Sequence, residues 1–567
     1  MKKALVSLAV LVVLIAACQT GQKAIMKPQV SQEGRSAVGA NGVVAAAKPG
    51  ASQVGLDILK AGGNAVDAAV ATGFALGVLE PNASGLGGGG FMIIKLVNMP
   101  EAVVIDFRET APGASTPAMY LDESGKAVSE LARTGGLASG TPGEVAGLLY
   151  ALDNYGSKKL SREQVMQPAV DLAENGYEIT FHLMNAIIDN LARINRYPAA
   201  AAIYTHDGLP YEEGEIIKNP DLGATLRLIA QEGKDAFYKG PLAERIAGAV
   251  QDAGGILTVQ DLANYEVKIR RPVKGSYRGY GIQSTPPASS GGTHVIQILN
   301  MLENLDMGSM EIDSTESVHA WTQALRLAFA DRGAYMADSD FVSVPLDGLV
   351  NKDYAKELYA KFDPNTAMLT ATASSPEKYE SGSTTSFAVM DKAGNMVAVT
   401  KSINGFYGSA VVVPGGGFIM NNHMADFMLT PGHVQSVEPG KRPLSSMTPT
   451  LVFDPSGKPF MTLGSPGGTR IIAAVAETIS FVIDHQMAIQ DAVERPRFFA
   501  SASGPVYLEG GISEATTNGL KNLGYDVNYS SERDPSFGGV HAVVYDRYAK
   551  LLYGGADFRR DGHAKGY

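Results

Sequence analysis

The stretch STTSFAVMDKAGNMVAVTKSIN, residues 383–404, constrains the fold more than any other part of this 567-residue chain. Asp391-Lys392-Ala393-Gly394-Asn395 suits a three-residue hairpin loop with glycine at the left-handed position. Pairing Asp391 with Asn395 sets Phe387 against Val399 and Val389 against Val397, an apolar face that needs a layer of helices to cover it. The other face then carries Thr384, Ser386, Ala388, Met390, Met396, Ala398, Thr400, Ser402 and Asn404, with Thr384 opposite Ser402. Because these side chains are mostly small and polar, that face is expected to leave space for a ligand. Strand propensity alone also accounts for adjacent threonines, and hydroxyl pairs across strands are common.

The chemistry open to Thr384 points further. A neutral hydroxyl needs a base before it can act as a nucleophile. Cutting the peptide bond before Thr384 would unmask an α-amino group of ordinary pKa about 7.7–8.0, a base supplied on the spot. The flexible Ser381-Gly382-Ser383 segment would let Thr384 attack the Ser383 carbonyl and turn the amide into an ester that water cleaves. Ser402 could then orient the threonine oxygen.

Elsewhere the chain reads as layered α/β. A helix is expected over Ala51 to Ala61, stopped by Gly62-Gly63. A second follows over AVDAAVATGFALGVL, capped by Asn64 with Asp67 at its third position. It is apolar nearly all round, so it should be buried. Gly87 to Gly90 enter a strand, Phe91 to Val97, and no Lys-Ser/Thr pair follows them, so tight backbone packing is the better reading than a phosphate cradle. The strand AVVIDFRET ends on Arg108-Glu109. Residues 140 to 380 are mostly helical in pattern, for example Ser314 to Met336, and the remainder is strand-rich with helices such as IIAAVAETISFVI.

The first eighteen residues, MKKALVSLAVLVVLIAAC, have two lysines, an apolar run and then small residues, the layout of an export signal. Ile15-Ala16-Ala17-Cys18 resembles a bacterial lipobox. It implies a signal over 1–17, lipidation of Cys18, a tether over 18–38 and an extracytoplasmic membrane surface, such as the periplasmic face of an outer membrane. Cys18 is the only cysteine, which excludes an intramolecular disulfide and cysteine catalysis. A net charge of −11 argues against nucleic acid as a partner. The nine histidines show no metal spacing, so neither metal nor cofactor is expected.

The segments GLDILKAGGNAVDAAVA, EPNASGLGGGGFM, DFRETAP, STTSFAVMDKAGNMVAVT, NNHMADF, KRPLSSMTPT and GSPGGTR occur together, in this order. With them the chain resembles the γ-glutamyltranspeptidases of the N-terminal nucleophile superfamily from about Gly42 to Tyr567. The resemblance implies a four-layer αββα sandwich, built jointly by two fragments of one self-cleaving precursor. The cut would fall between Ser383 and Thr384, giving a large subunit of 39–383 and a small one of 384–567. Thr384 would serve as nucleophile in self-cleavage and turnover. Ser402 stands at a position that is usually threonine in the family. Arg108, with Ser445 and Ser446, would hold the substrate's α-carboxylate, for which a guanidinium fork is the natural partner. Asn404 and Asp426 would bind the α-ammonium, and the Gly467 and Gly468 amides would stabilise the oxyanion. The expected donors are glutathione and related γ-glutamyl compounds, with water or an amino acid or dipeptide as acceptor.

Two departures from the family stand out. His423 occupies a position that often holds Gln or Glu near the amino group, where it could add positive charge or lose a hydrogen bond. Phe427 to Gly440 is short beside members that carry a lid, which would leave the site wetter and favour water as acceptor. Two rival readings are a β-lactam side-chain (glutaryl) acylase of the same superfamily and a non-catalytic peptide-binding lipoprotein. Each motif also has a purely structural reading: Arg108-Glu109 could be a structural ion pair, Ser445-Ser446 a turn and Gly467-Gly468 a tight bend.

Overall fold

The computed structural model describes residues 34–372 and 383–567. Cys18 and the expected export signal lie outside the described residues. Two seven-stranded antiparallel sheets stack face to face. The first runs in the order His563–Gly566, Gly42–Ala46, Ser383–Asp391, Met396–Asn404, Gly89–Lys95, Val103–Asp106 and Lys268–Arg270. The second runs Ser36–Gly39, Leu551–Ala556, His541–Asp546, Pro459–Gly464, Thr450–Phe453, Tyr280–Ser284 and Val273–Tyr277. Strands from before and after residue 384 contribute to both sheets, so neither stretch builds a sheet by itself. Ser36–Gly39 also corrects the tether's boundary: residues 36–38 pair with Leu551–Ala556 and complete a sheet edge.

Three apolar layers hold this stack together. On the outside of the first sheet, Phe387, Val389, Val397 and Val399 pack with Val44, Met92 and the Ala65–Leu79 helix. That helix buries all 15 of its residues. It starts with a reciprocal cap: Asn64 accepts from the Val66 and Asp67 amides, and Asp67 accepts from the Asn64 amide. On the outside of the second sheet, Ile282, Val452, Met461, Leu463 and Val544 pack against helices Gly291–Leu302, Thr315–Tyr335 and Arg470–Ile483. Between the sheets lie Val43, Phe91, Ile93, Ala388, Met390, Met396 and Ala398 against Leu451, Phe453, Val543 and Leu552. The order is therefore helix, sheet, sheet, helix.

This inner layer corrects one expectation. The small residues on the second face of the hairpin are small because another sheet covers them at the ~10 Å spacing of stacked sheets, not because a ligand runs along them. Only the end of that face, at Thr384, Ser402 and Asn404, reaches the edge of the gap. The glycines at the start of Gly89–Lys95 and just before it act as packing residues. A methyl at Gly88 would meet the Ser402 carbonyl oxygen at 2.2 Å, and one at Gly90 the Thr400 carbonyl oxygen at 2.4 Å. Among the described residues no helix is long and apolar enough to cross a membrane.

Candidate active site

The hairpin follows its expected register from Thr385 opposite Lys401 to Met390 opposite Met396, and Gly394 takes φ +88° in the turn. At the open end the register shifts. Ser383 pairs with Asn404, so Thr384 faces both Ser402 and Ile403 across a bulge. Thr384 is thus not strictly opposite Ser402, although its hydroxyl donates to the Ser402 hydroxyl at 3.5 Å. Ser402 Oγ also accepts from the Asn404 amide at 2.7 Å. That bond helps hold Asn404 at φ +71°, a left-handed conformation that few side chains other than asparagine and aspartate tolerate.

A small pocket opens beside Thr384. Arg108, Asn404, His423, Asp426, Ser445, Ser446 and Gly468 share its wall. Arg108 leaves the strand Val103–Asp106 and is 1% exposed. Its Nη2 pairs with Asp426 Oδ2 at 2.5 Å and its Nε donates to the Pro443 carbonyl at 3.2 Å. Asp426 accepts from Asn404 Nδ2 through its other oxygen at 2.9 Å. Asn404 Nδ2 also reaches the Asn422 carbonyl at 3.1 Å. The expected carboxylate holder and the expected ammonium holder therefore meet each other across the pocket.

Behind Arg108 lies Glu109, the partner in the structural ion pair that the sequence offered as one reading of this dipeptide. Glu109 is fully buried, with Oε2 at 3.5 Å from Arg108 Nη1 and Oε1 at 2.8 Å from His423 Nδ1. Burial pushes its carboxyl up to about 8, against the pull of Arg108. Burial, and then the Arg108 charge, holds His423 well below its usual value. The His423 imidazole thus brings no positive charge to the pocket at neutral pH. Arg108 Nη1 is buried against Glu109 and has no hydrogen-bond acceptor at normal geometry among the described residues.

Ser445 and Ser446 close the pocket from the second sheet's side. Ser445 Oγ accepts from the Met447 amide at 3.0 Å, and its own amide bonds to the Ala288 carbonyl at 3.0 Å. Ser446 Oγ accepts from Arg332 Nη2 at 3.0 Å, and Arg332 Nε is held by Ser290 Oγ at 2.9 Å. Arg332 was legible only as part of a helix; a contact 114 residues away in sequence leaves no local signal. Gly467 and Gly468, between Pro459–Gly464 and Arg470–Ile483, take φ +128° and +59°. A methyl on Gly467 would come 2.8 Å from Gly538 Cα. Gly468 lines the pocket, while Gly467 packs behind it. The stretch Phe427 to Gly440 folds back on itself, with the Met428 amide bonded to the Gln435 carbonyl at 3.0 Å.

Beneath the hairpin, Lys401 and Glu144 form a wholly buried ion pair at 2.7 Å that sequence reading did not anticipate. Burial pushes Glu144 up to about 7, with Lys401 opposing. Lys401 lies on the opposite face of the strand from Ser402, so the pair supports the site from below.

A family profile described as Gamma-glutamyltranspeptidase matches residues 51–567. The "Glutathione hydrolase proenzyme" of Bacillus subtilis (strain 168) is 40% identical over 546 residues, covering 93% of this chain and 92% of that protein. The "Acylase ACY 1 proenzyme" of Pseudomonas sp. (strain SE83) is 41% identical over 537 residues, covering 94% of each. Among solved structures, a cephalosporin acylase from Bacillus halodurans superposes with a TM-score of 0.85 at 27% identity, covering 97% of this chain and 99% of that one. This chain belongs to the γ-glutamyltranspeptidase family.

Proposed function

We infer that the chain is a self-processing γ-glutamyl hydrolase and transferase acting on glutathione and related γ-glutamyl compounds. One observation carries this reading: opposite charges, Arg108 and Asp426, meet in a pocket beside Thr384. An α-amino acid end group brings one charge of each sign, so it can exchange that single pair for two. Its carboxylate would take Arg108 with Ser445 and Ser446, and its ammonium Asp426 with Asn404. The γ-carbonyl then falls toward Thr384.

In self-processing, the Thr384 hydroxyl adds to the Ser383 carbonyl carbon. The peptide C–N bond breaks, the proton passes to the departing nitrogen, and water hydrolyses the resulting ester. The products are a carboxylate at Ser383 and an amine at Thr384, which yields the two-subunit heterodimer. In turnover that amine takes the Thr384 hydroxyl proton as the oxygen attacks the γ-carbonyl, and returns it to the leaving amine. Ser402 orients the attacking oxygen. The Gly467 and Gly468 amides would meet the oxyanion, each donor worth about 2.7–4 kcal/mol. Water or an amino acid or dipeptide then releases the γ-glutamyl group. Export, lipidation at Cys18 and residence on an extracytoplasmic membrane surface complete the proposal; recovery of Cys18→Ala on the membrane after export would count against the anchor.

The acylase reading stands nearby because relatives of both names align along nearly the whole chain. Asp426 and Asn404 favour the γ-glutamyl reading, since a glutaryl group has no ammonium for them to bind. Denaturing electrophoresis and N-terminal sequencing test the processing: two bands, the smaller starting at Thr384, against one band for Thr384→Ala. Faster turnover of a glutaryl anilide than of a γ-glutamyl anilide would overturn the substrate assignment.

A further inference from the structure

Away from Thr384, a cleft of about 290 Å³ runs between Phe181–Ile194 and the chain's last turns. Five of its lining residues are buried and polar: Lys48 and Arg559, which are held in ion pairs, and Glu80, Asn82 and Arg560, at 3%, 6% and 6% exposure. Glu80 Oε2, Asn82 Oδ1 and Arg560 Nε have no hydrogen-bond partner among the described residues. A buried polar atom left unmatched is costly, so three at one cleft call for an occupant that matches them. Phe181, 53% exposed, with Leu183 and Phe406, adds an apolar wall. The neighbouring Lys48 and Asp561 are already paired with each other.

The unmet groups set the occupant's chemistry. Glu80 Oε2 and Asn82 Oδ1 require donors, whereas Arg560 Nε requires an acceptor. A molecule with only an anionic end, or only a cationic end, would satisfy one side and leave the other. We propose that this cleft is a second binding site, for a small zwitterion: a free amino acid or short peptide with an apolar side chain. Its ammonium meets Glu80 and Asn82, its carboxylate meets Arg560, whose guanidinium lies over the Phe406 ring at 5.1 Å, and its side chain lies on Phe181. The cleft is also wired to the candidate active site. The Tyr407 amide donates to the Asn82 carbonyl at 2.9 Å and the Ile403 amide to the Ala83 carbonyl at 3.2 Å, and Asn404 lies between those two anchor points.

The test is calorimetric titration of L-phenylalanine into full-length Asp426→Ala protein, whose first pocket has lost its ammonium partner. The expected result is saturable binding at one site. Affinity should fall at least tenfold with N-acetyl-L-phenylalanine, with phenethylamine, and in Asp426→Ala/Glu80→Gln. Because Glu80 is buried, Phe181→Asp provides an exposed second variant, also expected to weaken binding at least fivefold. Absence of saturable binding, or binding indifferent to removal of either ligand charge, overturns the proposal. Neither result bears on the reading of Thr384, which rests on chain cleavage and γ-glutamyl release.

Discussion

Two buried clusters of charge in this molecule answer different needs. One, formed by Arg497, Glu509, Asp557 and Arg559, is closed. Arg497 pairs with Asp557 at 2.5 Å, Arg559 with Glu509 at 2.5 Å, and Arg559 also with Asp557 at 3.0 Å. The spare atoms reach backbone: Arg497 Nη1 donates to the Phe537 carbonyl at 2.9 Å, and Asp557 accepts from the Val540 amide at 3.0 Å. Glu477 beside them is pushed up to about 8, first by burial, and so enters neutral. The other cluster, formed by Arg108, Glu109, His423 and Asp426, is open. Its only opposed charges at neutral pH are Arg108 and Asp426, and both face the pocket. A closed cluster fixes backbone; an open one waits for a charge partner of another molecule. The closed cluster still serves the site indirectly, because the segment it pins, 537–540, is what Gly467 packs against.

Breaking the open cluster should cost the most activity. Arg108→Ala is expected to leave chain cleavage intact, because the residue holds substrate and not the scissile bond. Truncating one member of a buried charge pair costs 2–5 kcal/mol or more, so kcat/KM for a γ-glutamyl anilide should fall about 10²–10³-fold. Electrophoresis and steady-state kinetics on one preparation check both halves. Loss of cleavage would move Arg108 into the structural class and erase the contrast.

Breaking the closed cluster should have the opposite signature. Asp557→Asn leaves two buried guanidiniums short of a counter-charge and should lower stability by about 3–5 kcal/mol, while kcat/KM per folded molecule changes little. Burial raises the Asp557 pKa, but Arg497 and Arg559 outweigh it and hold the carboxyl down at about 2, from an ordinary 3.8. A depressed carboxylate stabilises the fold above its unfolded pKa and stops doing so as pH falls through its folded one. The native protein should therefore lose this contribution between about pH 4 and pH 2, and Asp557→Asn should not, a difference visible in chemical denaturation at stepped pH.

These two clusters were not equally visible in the sequence. The hairpin turn, its register from Thr385 onward and the Asn64 cap all rest on local chemistry, and local pattern is enough to find them. Arg108 and Asp426 could be placed by motif, but their direct pairing could not, because it joins two segments 318 residues apart. The bulge at Thr384 was also hidden: alternation in one strand cannot show that its neighbour carries an extra residue. The small residues of the inner face were misjudged for a related reason. Periodicity says which side a residue faces and is silent on whether a second sheet or a ligand lies there. Glu109 follows Arg108 in an exposed-looking charged pair, and only burial reveals that it is held protonated.

Glu109 gives a smaller effect that sharpens the comparison. Its carboxyl, raised by burial to about 8, stays protonated in the fold while the unfolded chain ionises near 4.5. The sign is therefore opposite to that of Asp557: this carboxyl destabilises the fold progressively as pH rises from about 4.5 to about 8. Glu109→Gln should become more stable relative to the native protein across that window, measured by urea unfolding at each pH. A constant difference from pH 5 to pH 8 would show that Glu109 is ionised throughout.

The smallest effect concerns the hydroxyl that links nucleophile and pocket. Ser402 Oγ receives the Thr384 hydroxyl at 3.5 Å and the Asn404 amide at 2.7 Å, so it touches the reacting side and the binding side together. Ser402→Ala removes both contacts. The long bond to Thr384 should cost little in kcat, whereas loss of the shorter one frees Asn404 from its left-handed turn and loosens its grip on Asp426. Net hydrogen-bond values of about 0.5–1.5 kcal/mol give an expected rise in KM of three- to tenfold with kcat changed less than threefold. Ser402→Thr keeps the hydroxyl and adds only a methyl, so KM should stay within twofold of native. If Ser402→Ala instead lowers kcat and leaves KM alone, the hydroxyl works on Thr384 and not through Asn404, and the bulge matters because it aims the nucleophile.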